Sequence, residues 1–181
     1  RFAEHARNLV HEWNQAARAA RSANDFDASL RVGMQHDLAA THLGEWLGEF
    51  RKAIPQTSFY VELDYSPQMA LELMSGVLDA AILFTPKNLP DLHFEPVGEI
   101  EYRMVSSEGA KLNDISADRY IFANYSPAFD RAHRDIIGAH VTAARIASGQ
   151  NIAVCELVTA LGGSAYVKDE SAAELVSSGR F

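Results

Sequence analysis

The sequence predicts an α/β protein of two successive lobes preceded by a long helix, and three observations carry that expectation. Residues 29–84 twice alternate a short apolar strand with a helix-length amphipathic segment. The tripeptide Tyr-Ser-Pro follows a strand at 65–67 and again at 125–127, as if one plan were used twice. Upstream, Phe2, Ala6, Leu9, Trp13, Ala16 and Ala20 recur at gaps of 4, 3, 4, 3 and 4, the seam of a coiled coil.

That opening helix spans Arg1 to Arg21, and three heptads with several alanines leave it in need of a partner. Phe2, Leu9 and Trp13 are its expected dimerisation contacts. The competing reading is a helix lying on its own domain. Residues 22–27 are a short polar linker, which gives the expected division 1–27, 28–107 and 108–181.

The first lobe opens with Leu30–Met34 as a strand that runs into the polar corner Gln35-His36-Asp37. A helix follows with Leu43, Trp46, Leu47, Phe50 and Ile54 on one face, and Pro55 stops it. Phe59–Leu63 is the second strand. In Tyr65-Ser66-Pro67 serine suits a helix N-cap and proline the first turn. The helix beginning there is expected to bury Ala70, Leu73, Met74 and Val77, and Asp79–Phe84 is the third strand. Strands joined by helices of this length form a parallel sheet, and ligands sit at the carboxyl ends of such strands, where helix N-termini point. The corners at 35–37, 65–67 and 84–86 all lie at that edge.

Pro86–Pro90 reads as a turn, Leu92–Val97 as an edge strand and Ile100–Val105 as a strand leading out of the first lobe, with Ser106–Leu112 crossing to the second. The second lobe continues with a strand at Tyr120–Ala123, a helix from Pro127 to about Arg134 and a strand at Val141–Ile146. An apolar helix opens at Ser148-Gly149-Gln150 and closes at Gly162-Gly163. A strand at Ser164–Val167 and a last amphipathic helix, Asp169–Ser178, complete it. A ligand held between two such lobes would meet both Tyr-Ser-Pro corners, which makes Ser66 and Ser126 candidate contacts.

The formal charge of −8 over 181 residues makes this chain a poor holder of nucleic acid by itself. No apolar run approaches the ~18 residues of a membrane helix. A lone Cys155 excludes an internal disulfide and fits a reducing, cytoplasmic compartment. Neither His36 with His42 nor His133 with His140 has the spacing of a helical zinc site, and no nucleophile elbow, Walker loop or dinucleotide fingerprint is present. The expectation is a protein that is not an enzyme, with no catalytic residue, metal site or cofactor.

The layout resembles the LysR-type transcriptional regulators, specifically their linker helix and effector-binding domain. The resemblance rests on Leu30–Met34 with the helix after it, on Gly76-Val-Leu-Asp79-Ala-Ala-Ile82, which looks like the family's G-x-L-D signature, on Pro96-Val97 with Tyr102–Val105, and on Leu157-Val158 through Gly163-Ser-Ala165. It implies two Rossmann-like lobes of the type 2 periplasmic-binding-protein kind. It also implies a cytoplasmic homodimer or homotetramer, a small-molecule effector in the cleft, and promoter DNA bound by a winged helix-turn-helix domain absent from this chain. Carried over by position, effector contacts would come from Gln35, His36, Asp37, Ser66, Phe84, Thr85, Tyr125 and Tyr166. The family usually has small hydroxyl residues at 35–37, so Asp37 implies a neutral or cationic effector, or an aspartate neutralised by His36 or Arg103. Family members also continue for several dozen residues and return a strand to the first lobe, so the first sheet is expected to lack a member. The alternative reading is a free-standing solute-binding protein of the same fold.

Overall fold

The computed structural model describes residues 28–84 and 86–181 (for Val141 the backbone only) and, upstream, residues 5, 6, 9, 10, 12–14, 16 and 17. The chain divides into two units, Arg1–Glu95 and Pro96–Phe181.

In the first unit β1 (Ala28–Met34) becomes steadily more buried towards its carboxyl end, where Val32, Gly33 and Met34 carry no polar side chain. It lies between β2 (Thr57–Leu63) and β3 (Ala80–Ile82), parallel to both, with Val32 opposite Val61 and Ala80. The crossovers are α1 (His36–Ala53) and α2 (Ser66–Met74). The core gathers Val32, Met34, Leu38, Met69 and Leu78. Gly33 lets α2 settle on the sheet, because a Cβ there would come within 2.6 Å of Leu78 Cδ1 and 2.7 Å of Met69 Sδ. At the middle of β1, Asp79 pins the strand: its carboxylate accepts the Arg31 N–H at 2.8 Å while its own N–H donates to Arg31 O at 2.9 Å. The Asp79 of the G-x-L-D stretch is thus a backbone clamp where β3 begins.

The upstream residues described are helical, with Leu9 66% and Trp13 73% exposed, and Asn14 Nδ2 donates to Gly76 O at 3.4 Å. Phe2 lies outside the described residues.

The second unit is held in smaller pieces. β4 (Tyr102–Ser106) pairs antiparallel with β7 (Ser164–Lys168), and β5 (Ile121–Ala123) pairs parallel with β6 (Ile146–Ser148). Helices α3 (Pro127–Ala143), α4 (Asn151–Leu161) and α5 (Asp169–Ser177) complete it. Val105, Ile121, Ala123, Val154, Val158, Ala165 and Val167 form its main core. Gly162 and Gly163 end α4 at φ 69° and 90°, and a Cβ on Gly163 would lie 2.1 Å from Arg119 O, so only glycine fits that turn.

Four expectations are corrected here. Among the described residues, 92–97 join no ladder: the backbone turns at Leu89–Leu92 and runs on without a pairing partner strand. The segment at 141–146 is not a strand, because α3 continues through Ala143 beyond a break at Ile137 (φ −137°, ψ 36°), and only Ile146–Ser148 is extended. Val141 and Thr142 are β-branched, yet the Thr142 hydroxyl satisfies itself on Gly138 O at 2.9 Å within the helix. The strand near 100–105 pairs with β7 in the second unit, so the division between units falls at 95/96 rather than 107/108. Helix α1 buries Asp37, Leu38 and Ala39 at its start, whereas Ile54, expected on its buried face, is 41% exposed at its end.

Candidate functional site

At the carboxyl edge of the first sheet three loops meet. Gln35 donates its N–H to Ile82 O at 3.3 Å, tying the β1 corner to the end of β3, and Asp64 N–H reaches Met34 O at 3.3 Å, tying it to β2. Gln35 is the N-cap of α1: its Oε1 accepts the Asp37 N–H at 2.7 Å. Both Gln35 and Asp37 are buried, and Asp37 stands in the first turn, where a carboxylate complements the helix dipole. His36 has its ring centre 6.0 Å from that of Tyr65, and its Nδ1 is buried without a hydrogen-bond partner among the described residues.

Ser66 departs from the expected cap. The N-cap of α2 is Tyr65, which makes no side-chain cap bond, and Ser66 is the first helical residue. Its hydroxyl instead accepts the Phe84 N–H at 3.0 Å, joining the start of α2 to the loop after β3. The corners at 35–37, 65–66 and 84 therefore share one rim. Thr85 lies outside the described residues. Beyond the rim, residues 86–94 fold around an open hollow lined by Pro86, Asn88, Leu92, His93 and Phe94, which sequence periodicity had no means of indicating.

In the second unit the corresponding corner is closed in on itself. Ser126 is a true cap: its hydroxyl accepts the Phe129 N–H at 3.1 Å. Tyr125 is 7% exposed, stacks on Tyr102 at 4.7 Å, and donates its hydroxyl to Tyr166 O at 2.8 Å. Asn151, which no motif singled out, organises what surrounds it. Its Oδ1 accepts the Lys168 N–H at 2.7 Å and lies 3.5 Å from the Tyr125 hydroxyl, while its Nδ2 donates to Ser171 at 2.8 Å. A polar residue opening a largely apolar helix was the available signal. Burial pushes the Tyr166 phenol above its ordinary range. Arg103, a candidate neutraliser of Asp37, forms ion pairs with Asp169 and Glu101 in its own unit. No cluster of metal-ligating side chains occurs among the described residues. None of their helices is long and apolar enough to cross a membrane.

A family model described as the LysR substrate binding domain matches residues 23–181. No curated protein sequence matches the chain. Among solved structures, the reduced regulatory domain of OxyR2 from Vibrio vulnificus superposes with a TM-score of 0.65 at 16% identity, over 83% of this chain and 75% of that one. The effector-binding domain of QuiR in complex with shikimate gives 0.59 at 20% identity, over 78% and 73%. Full-length CbnR complexed with its target DNA gives 0.64 at 16% identity, over 95% of this chain but only 64% of CbnR. At these identities the likeness is one of fold.

Proposed function

The chain belongs to the family of LysR substrate binding domains, and on that premise we propose that it senses a small effector for a cytoplasmic, non-enzymatic LysR-type transcriptional regulator. One observation carries this reading: the Ser66 hydroxyl, already accepting the Phe84 N–H, retains a proton to donate at a rim that also presents the Gln35–Asp37 corner. Three loops brought to the carboxyl edge of a parallel sheet make a ligand platform of the kind α/β folds use.

The effector is neutral or cationic, or Asp37 is neutralised by a neighbour such as His36 or Arg103. Asp37 stands in the first turn of α1, and Gln35 Oε1 occupies an N–H that an anion would otherwise seek. Calorimetry with neutral, amine and carboxylate compounds tests this. Weak carboxylate binding by the native chain, improved by Asp37→Ser, is expected; no improvement removes the charge argument.

The linker helix supplies self-association through Leu9 and Trp13, both largely exposed, with Phe2 as a further contact. DNA contact falls to a winged helix-turn-helix domain of the parent regulator, since a chain of charge −8 repels phosphates. A mass measurement with and without residues 1–21 separates this reading from a free-standing solute-binding protein, which would be monomeric in both forms.

A further inference from the structure

Behind the second unit's corner lies a buried titratable group that ligand contact does not account for. His133, on α3, is 2% exposed and Tyr120, just before β5, is 1% exposed. His133 Nδ1 lies 3.2 Å from Ala123 O, and its Nε2 is hydrogen-bonded to the Tyr120 hydroxyl. A carbonyl can only accept, so Nδ1 carries the ring proton and the neutral Nε2 accepts from the phenol. The ring is walled by Phe122, Phe129 and Tyr166, with centres 5.3, 5.0 and 5.0 Å away. One imidazole thereby fastens α3 to both ends of β5, directly before the Tyr125-Ser126 corner. Four residues further along α3, the backbone leaves helical geometry at Ile137, a break at which its second half can part from its first.

We propose that the Tyr120–His133 pair is a proton-sensitive latch, closed when the imidazole is neutral, whose protonation releases α3 and the end of β5. A second proton on Nε2 would meet the Tyr120 O–H head-on, and the phenol would have to turn its hydrogen towards an apolar wall. Among the described residues no unpaired carboxylate faces the imidazolium. From its own helix the facing groups are Asp130 and Arg134, which pair with each other at 3.0 and 3.1 Å and largely cancel. His140, on the same helix, packs its ring against Tyr120. From β5 there is only Phe122, and from β7 the neutral Tyr166. Burial accordingly lowers the affinity of His133 for a proton and raises Tyr120 and Tyr166 away from ionisation.

The sign follows. The opened segment binds a proton near the ordinary histidine value of about 6.5 and the closed one does so only at lower pH, so closure is complete above about 6.5 and weakens as pH falls below it. One proton per opening raises the open fraction by up to about tenfold per pH unit.

Hydrogen exchange of the full chain between pH 7.5 and 5.0, corrected for intrinsic rates, reads the latch directly. Protection of residues 120–143 should fall on acidification while that of β1 holds, and His133→Gln should abolish the difference. Should His133→Gln fail to fold, Tyr120→Phe provides a second variant: it leaves Nε2 without its donor and removes the O–H that opposes a second proton, so the segment should be less protected at neutral pH and lose less protection on acidification. The His133 ring signal in NMR should titrate below 6.5. Equal loss in both units, pH dependence surviving in His133→Gln, or titration at or above 6.5 would overturn the proposal. None of these readouts uses an effector, so failure of the effector reading leaves the test intact.

Discussion

Two corners of identical sequence, Tyr65-Ser66-Pro67 and Tyr125-Ser126-Pro127, end up with opposite assignments of their polar atoms. In the first, Tyr65 is 52% exposed and the serine hydroxyl reaches across to Phe84. In the second, Tyr125 is 7% exposed and the serine hydroxyl turns back onto its own helix. The difference is set by what surrounds each corner. β1 is paired along its whole length and Asp79 anchors its middle, so the first corner can serve the rim. The second unit has two-stranded sheets of three and five residue pairs, so its corner is recruited into the core. Where a sheet is small, side chains take over the work of holding the fold.

The largest predicted contrast is between the two tyrosines. Tyr125→Ala removes a buried ring stacked on Tyr102 and tilted against Phe129, together with the bond to Tyr166 O, and should cost about 3–5 kcal/mol. Tyr65→Ala should change stability by only about 0.5 kcal/mol. Chemical denaturation of both variants checks it. Equal losses would mean that the first corner is structural as well.

Next in size is Asn151→Ala, which leaves the Lys168 N–H and the Ser171 hydroxyl without their partner in the second unit and should cost about 2–3 kcal/mol by the same measurement. Ser126→Ala follows, at about 1 kcal/mol for a lost cap, and Ser126→Asp should restore it because aspartate caps as well. Failure of that rescue would show that the hydroxyl is held for something other than α3.

What could be read from the sequence follows the same line. The β1–α1–β2–α2–β3 order of the first unit was legible because apolar periodicity and Pro55 report local backbone structure. Placing 35–37, 66 and 84 at one edge needed only the rule that parallel strands end together. The direction of each serine hydroxyl was not legible, since capping at Ser126 and bridging at Ser66 begin from the same three residues. Nor was the role of Asn151, whose partners lie 17 and 20 residues away. Residues 141–143 misled for a related reason: β-branched side chains favour a strand locally, but α3 is held by contacts such as His140 Nε2 to Ile115 O, 3.0 Å apart and 25 residues distant.

A small effect on stability, and the sharpest test of the contrast, belongs to Ser66→Ala. The variant loses one hydrogen bond to Phe84 N–H at a half-exposed rim, where water can replace it, so unfolding should shift by about 0.5–1 kcal/mol. Any effector that takes the hydroxyl proton loses a donor, and a neutral hydrogen bond of about 1 kcal/mol corresponds to roughly fivefold weaker binding. Ser126→Ala, in contrast, removes a hydroxyl already committed to Phe129, so it should move stability more and affinity less. The two variants thus exchange rank between a denaturation curve and a binding isotherm. A matching rank in both measurements would mean that the serines of the two corners serve one purpose, and the division between a ligand rim and a structural corner would fail.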